Sequence, residues 1–161
     1  MNIALIGYGK MGHMIEAAAQ ERGHSIRARV DPFASDGDHK GIESLSAQDI
    51  DVAIEFTHPD TALSNIEALL KKKIPTVVGT TGWHDSMDKV RLELQNSDGA
   101  LLWSSNFSLG VNIFYQIAGY AASLIDRFDE YDVGGWKPII IKKQIVLLEP
   151  PRRWLKGCSL K

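Results

Sequence analysis

The segment Gly7-Tyr8-Gly9-Lys10-Met11-Gly12 constrains this chain more than any other. It follows the apolar run Asn2-Ile3-Ala4-Leu5-Ile6 and opens a stretch of helix formers from Lys10 to Arg22, closed by Gly23. A short apolar run ending in glycine reads as a buried strand, and Gly23 fits a helix C-cap. The spacing G-x-G-x-x-G then gives each glycine a task. Gly7 permits a tight turn, Gly9 lets the backbone approach a pyrophosphate, and Gly12 lets the helix pack closely on the strand. The helix N-terminus offers free N–H groups to the phosphates. Residues Gly7, Tyr8, Gly9, Lys10, Met11 and Gly12 are therefore candidate cofactor-binding residues. A glycine turn without a ligand fits the same letters.

Ser25 to Val30 alternates and reads as a second strand. Asp31 ends it, 19 residues beyond Gly12, where an acid binds a ribose 2′-hydroxyl. Asp31 also fits a turn starter before Pro32. An acid here favours NAD over NADP, because a 2′-phosphate meets like charge; Arg27 and Arg29 blur that preference. Asp31 to Gln48 reads as loop with one short helical turn, and Asp51 to Phe56 as a third strand. His58-Pro59-Asp60 reads as a helix start, with the helix over Asp60 to Lys72 and Leu63, Ile66, Leu69 and Leu70 on one face. Strands at Pro75–Val78 and Gly99–Trp103 and helices at Asp85–Gln95 and Val111–Ile125 continue the alternation. In the last helix Val111, Ile113, Phe114, Ile117, Ala121 and Leu124 are expected toward a core. This order implies an α/β fold, a doubly wound parallel sheet of the Rossmann type.

Two further loops fall at carboxyl ends of expected strands, where open α/β sheets bind ligands. Gly79, Thr80 and Thr81 follow one strand, and Ser104, Ser105, Asn106 and Phe107 follow another. Small residues and hydroxyls there suit the lining of a nicotinamide ring. A polar loop capping the next helix fits them equally. The five histidines share no metal spacing, and one cysteine excludes an internal disulfide framework and a multi-cysteine zinc site. With a net charge of −2, no broad basic field for nucleic acid is expected. No apolar run approaches a membrane span, so a cytoplasmic location is the default expectation.

Gly7–Gly12, Val78-Gly79-Thr80-Thr81-Gly82-Trp83 and Ser105-Asn106-Phe107-Ser108-Leu109-Gly110-Val111-Asn112 together resemble 4-hydroxy-tetrahydrodipicolinate reductase, also called dihydrodipicolinate reductase. Glu55-Phe56-Thr57 and Tyr131-Asp132-Val133-Gly134-Gly135 are similar in kind and position, so the resemblance spans about residues 1–136. It implies reduction of a cyclic unsaturated dicarboxylate by NADH or NADPH, a step of lysine and diaminopimelate synthesis. Carried over, Gly7 to Gly12 hold the pyrophosphate and Asp31 the adenosine ribose. Gly79, Thr80 and Thr81 then flank the nicotinamide, and Ser104 to Phe107 close it. The resemblance also implies a homotetramer, built through a second α/β domain. Two other readings fit the same first domain: a nucleotide-binding or regulatory module without activity, and another nicotinamide oxidoreductase such as an amino-acid dehydrogenase.

The resemblance implies a continuation H-H-x-x-K-x-D-x-P-S-G-T-A after Trp136, whose histidines and lysine donate protons and bind substrate. The chain instead carries Lys137 to Arg152, and no histidine follows His84. Residues 137–161 hold seven basic residues and one acid, a balance of +6, against eleven basic and nineteen acidic in residues 1–136, a balance of −8. A shift of reading frame accounts for both facts, and a genuinely divergent tail is the alternative. Isoleucine codons read from the preceding third base give His, Tyr, Asn or Asp, so Ile139–Ile141 can become His-His-Asn. Continued through Arg152, one choice of synonymous codons gives H-H-N-K-K-A-D-S-P-S-G-T-A-K. The expected organisation is a dinucleotide-binding domain over 1–128, the start of a substrate domain over 129–136, and an out-of-frame basic tail over 137–161, leaving no catalytic residue in the chain. The coding DNA across Gly135 to Arg152 is expected to encode His-His in the shifted frame. Any other sequence there overturns the frameshift.

Overall fold

The computed structural model describes residues 1–131 and 134, and the backbone of 139–141 and 144–146. Strand β1 (Asn2–Ile6) leads into helix α1 (Lys10–Glu21), and β2 (Ser25–Val30) follows. A 3₁₀ turn at Ile42–Ser44 interrupts the polar loop before β3 (Val52–Glu55). Then come α2 (Pro59–Lys71), β4 (Thr76–Val78), a second 3₁₀ turn at His84–Ser86, α3 (Met87–Gln95) and β5 (Leu101–Trp103). These strands form one sheet in the order β2-β1-β3-β4-β5, and every pairing is parallel. The doubly wound parallel α/β sheet expected from the alternation is thus present.

A parallel sheet covered on both faces needs apolar side chains on both. β1 supplies them: Ala4 and Ile6 join one core with Ala28, Val30, Ala53 and Leu69, while Ile3 and Leu5 join the other with Tyr8 and Ala19. α2 is set by its start, where the His58 side chain caps the Asp60 N–H and Pro59 occupies the first turn. It buries Ala62, Ile66, Leu69 and Leu70, with Leu63 only partly covered. A third cluster joins α2 to β4 and α3 through Val78, Trp83 and Val90.

The chain separates into two compact units, Met1–Phe107 and Ser108–Lys161. The first ends well short of the expected boundary at 128. In the second unit α4 (Leu109–Ile125) starts at Ser108, whose side chain accepts the Val111 N–H. Contrary to the expectation from its pattern, α4 buries no residue: Phe114 is 54% and Ile117 63% exposed, and Ile113 and Leu124 are exposed beside them. An apolar helix surface is covered only when another element supplies a matching face. Strands β6 (Ile139–Ile141) and β7 (Gln144–Val146) pair antiparallel. The readings made of the rest of 137–161 lie outside the described residues. Among the described residues no helix is long and apolar enough to cross a membrane.

Leu69 is fully buried in the β1–β3 core, so Leu69→Ala is expected to cost about 2–5 kcal/mol in urea unfolding. The exposed Leu102 makes the control: Leu102→Ala is expected to shift stability by no more than about 0.5 kcal/mol.

Candidate nucleotide-binding site

The chain leaves β1 for β2 on one side of the sheet and returns to β3 on the other. The carboxyl ends of β1 and β3 therefore form the switch point where such sheets open a crevice. Gly7 begins that end. Its N–H donates to the Val30 carbonyl at 2.8 Å, and its φ is +90°. A Cβ at Gly7 would run into the Phe56 carbonyl oxygen, and one at Gly12 would lie 2.5 Å from the Gly7 oxygen. Both glycines are needed for close packing of the turn, β3 and α1. Gly9 differs: nothing lies within 4 Å of its missing Cβ. It caps α1 without a side-chain partner, and no acid stands in the first turn of that helix. Open space over an uncapped helix N-terminus suits a phosphate. Lys10 and Met11 are exposed beside it.

Tyr8 acts through its backbone. Its ring is buried under His13, with centroids 4.2 Å apart, and its hydroxyl donates to Glu16. The Tyr8 N–H donates to Asp31 Oδ2 at 2.8 Å, while Asp31 Oδ1 accepts from the Phe33 and Ala34 N–H groups at 2.8 and 3.1 Å. Burial pushes the Asp31 pKa up, but these three N–H donors outweigh it and hold the carboxyl below its ordinary value. Asp31 is thus both turn starter and ribose candidate. A carboxylate has about four acceptor positions, so one remains for a ribose hydroxyl.

The two arginines differ in position and in partners. Arg27 donates to Asn2 Oδ1 at 3.1 Å, toward the amino end of the sheet. Arg29 is gripped by Glu16 and Asp38. The hydrogen bond with Glu16 raises the guanidinium pKa, and the same bond lowers the Glu16 carboxyl.

At the other end of the site, Gly79 lies against the Phe56 ring, which leaves no room for a side chain. Thr80 is buried. Its hydroxyl accepts the Thr57 N–H at 2.7 Å, and its carbonyl accepts from Trp83 Nε1 at 2.9 Å. Thr81 is exposed. Ser104 Oγ folds back on Asn106, accepting its N–H at 3.2 Å and donating to its carbonyl at 2.9 Å. Ser105 and Phe107 are exposed. The loops after β3 and β4 are therefore joined directly, and the Ser104 N–H ties the β5 end to the Val78 carbonyl at 3.3 Å.

Three residues of this region were not among the sequence candidates. Glu55 is fully buried, and its Oε1 accepts from Thr57 Oγ1 and, at 3.3 Å, from Asn65 Nδ2. Glu16 holds Tyr8 and Arg29. His13, one of the five histidines without metal spacing, has Nδ1 2.8 Å from the Gly9 carbonyl and Nε2 2.9 Å from Asp36. Two acceptors facing both ring nitrogens favour the doubly protonated ring. Among the described residues no three His, Cys, Asp or Glu could hold a metal ion.

The Gly9 carbonyl, then the Asp36 carboxylate, raise the His13 pKa above the ordinary histidine value. A raised folded-state pKa stabilises the fold below the unfolded value, and that stabilisation disappears as pH climbs through the folded value. An NMR titration of His13 is expected to give a midpoint above about 6.5. Asp36→Asn is expected to lower that midpoint; an unchanged midpoint means that the pair does not form.

A family model described as "Dihydrodipicolinate reductase, N-terminus" matches residues 1–107, the extent of the first compact unit. The 4-hydroxy-tetrahydrodipicolinate reductase of Christiangramia forsetii is 41% identical over 133 residues, covering 83% of this chain and 53% of that protein. That of Archaeoglobus fulgidus is 33% identical over 141 residues, covering 80% and 54%. The chain thus spans about half the length of these relatives. Among solved structures, a probable dehydrogenase from Thermotoga maritima superposes with a TM-score of 0.57 at 14% identity, over 79% of this chain and 41% of that one. The aspartate dehydrogenase of the same organism gives 0.54 at 16%, over 73% and 51%. At such identities the likeness is one of fold. The match across residues 1–107 decides the family: this chain belongs to the dihydrodipicolinate reductases, as their N-terminal part.

Proposed function

We propose that residues 1–107 bind a nicotinamide dinucleotide as the cofactor module of a 4-hydroxy-tetrahydrodipicolinate reductase, and that this chain binds without turning over substrate. The observation that carries the reading is the open face of Gly9 above the uncapped α1 N-terminus, between two glycines that admit no side chain. The N–H groups of the α1 first turn receive the pyrophosphate. Asp31 gives its remaining acceptor position to the adenosine ribose and favours NADH over NADPH. Gly79, Thr80 and Thr81 border the nicotinamide, with Ser104, Ser105, Asn106 and Phe107 on its far side. The dinucleotide, when bound, supplies hydride. Hydride addition to an unsaturated dicarboxylate needs a proton donor, for which the chain offers no histidine after His84. Family membership supports a small cyclic dicarboxylate as substrate, lysine and diaminopimelate synthesis as the setting, and a homotetramer as the assembly of the whole enzyme. The charge switch after Trp136 supports a shifted frame as the reason that the catalytic positions are missing.

Gly9→Val tests this without disturbing packing, because its Cβ meets nothing and its φ of −87° suits any residue. The expected result is quenching or enhancement of NADH fluorescence on binding to the unsubstituted chain, a loss of affinity of about tenfold or more in Gly9→Val, and unchanged unfolding. No reduction of 4-hydroxy-tetrahydrodipicolinate is expected from either. Equal NADH binding by both chains overturns the placement of the pyrophosphate, and measurable reduction overturns the claim of inactivity.

A further inference from the structure

Arg29 lies on β2, an edge strand, and Asp31 directly follows its last residue, two positions on, while Ala28 and Val30 face the core on the other side. Side chains two apart share a face, with Cα atoms roughly 6–7 Å from each other. A phosphate on the ribose 2′-oxygen, held beside Asp31, therefore falls within reach of a freely moving Arg29. Arg29 is not free. Its Nε donates to Glu16 Oε2 at 3.0 Å and its Nη2 to Glu16 Oε1, and its Nη1 donates to Asp38 Oδ2 at 3.0 Å. The guanidinium also lies 5.7 Å from the Tyr8 ring centroid.

The two carboxylates are fixed in turn. Glu16 is 12% exposed at its side chain and accepts from Tyr8 Oη and from Gln20 Nε2 at 2.9 Å. Asp38 accepts the Arg29 backbone N–H at 3.0 Å. Two negative charges thus surround one positive charge, next to Asp31. The other cation near Asp31, Lys40, donates to the carbonyls of Ala34 at 2.8 Å and Asp31 at 3.5 Å.

We propose that Glu16 and Asp38 are specificity-determining residues: by withholding the Arg29 guanidinium from the ribose edge, they make the chain discriminate against a 2′-phosphate and take NADH over NADPH. The inference rests on the nucleotide-binding reading above. A 2′-phosphate is bound best by an arginine able to offer two parallel N–H donors. Here those donors already serve carboxylates.

The test compares NADH and NADPH affinities by fluorescence titration of the full chain and its variants. The unsubstituted chain is expected to prefer NADH. Glu16→Gln is expected to improve NADPH relative to NADH by about tenfold, and Asp38→Asn by about threefold. Adding Arg29→Met to either variant is expected to abolish the gain, whereas Arg29→Met alone leaves the ratio unchanged. If Glu16→Gln does not fold, Asp38→Asn, at a side chain 41% exposed, decides on the same ratio. A ratio unchanged in the folded variants, a gain that survives Arg29→Met, or an unsubstituted chain that prefers NADPH overturns the inference alone. Failure of the unsubstituted chain to bind either nucleotide overturns the nucleotide-binding reading, and the inference with it.

Discussion

The contact between the Gly7 turn and the Phe56 carbonyl governs the geometry of the site. It brings the end of β1 against the end of β3, and every loop of the site is placed from there. The Phe56 N–H donates to the Ile6 carbonyl at 2.8 Å, and the Gly79 N–H donates to the Glu55 carbonyl at 2.9 Å. The Phe56 ring then fills the space over Gly79. One residue, Phe56, therefore sets the distance between the Gly7 turn and the Gly79 loop. Any side chain larger than hydrogen at Gly7 must move β3 or the turn, and either movement propagates to Gly79.

Electrostatics follow the same layout. The β2 edge holds Asp31, Asp36, Asp38 and Glu16 against His13, Arg29 and Lys40, and each cation there has an assigned partner. Such pairs contribute little stability where they are exposed. Their effect is positional: His13 and Asp36 tie the loop after β2 to the first turn of α1, and Asp31 ties the same loop to Tyr8. The loop proposed to meet a ribose is thus held by the same groups that the proposal assigns to recognition, so Asp31 cannot be substituted without also loosening the loop.

Most of this was legible in the sequence where one residue type had one physical use. The glycine spacing and the buried run of β1 fixed the start, and the helix start at His58-Pro59-Asp60 lay within a residue of its place. Asp31 stood out as a candidate because its position after the second strand selects it, and the structure makes it the anchor of the following turn. Glu16 and His13 escaped because their roles depend on partners distant in sequence: Arg29 is thirteen residues from Glu16, and Asp36 is 23 from His13. The apolar pattern of α4 was read correctly as a helix, but its burial was not legible. A hydrophobic face records that a partner is needed, not where that partner lies.

Glu55 shows what a ligand-binding end demands of a fold. Its carboxylate is fully buried at the end of β3, and Oε2 has no hydrogen-bond partner while Oε1 has two. Leaving a buried acceptor unsatisfied costs on the order of 1–3 kcal/mol. The groups Glu55 does hold, Thr57 and Asn65, belong to the loop and helix that follow β3, and Thr57 passes its N–H to Thr80. A buried carboxylate thus orders the β3 loop, and that loop orders the β4 loop. The amino ends of the same strands carry no comparable burial of charge: Asn2 and Arg27 there make an exposed contact. Stability is therefore surrendered at the carboxyl end of the sheet, where Gly7, Gly12 and Gly79 have also given up their side chains.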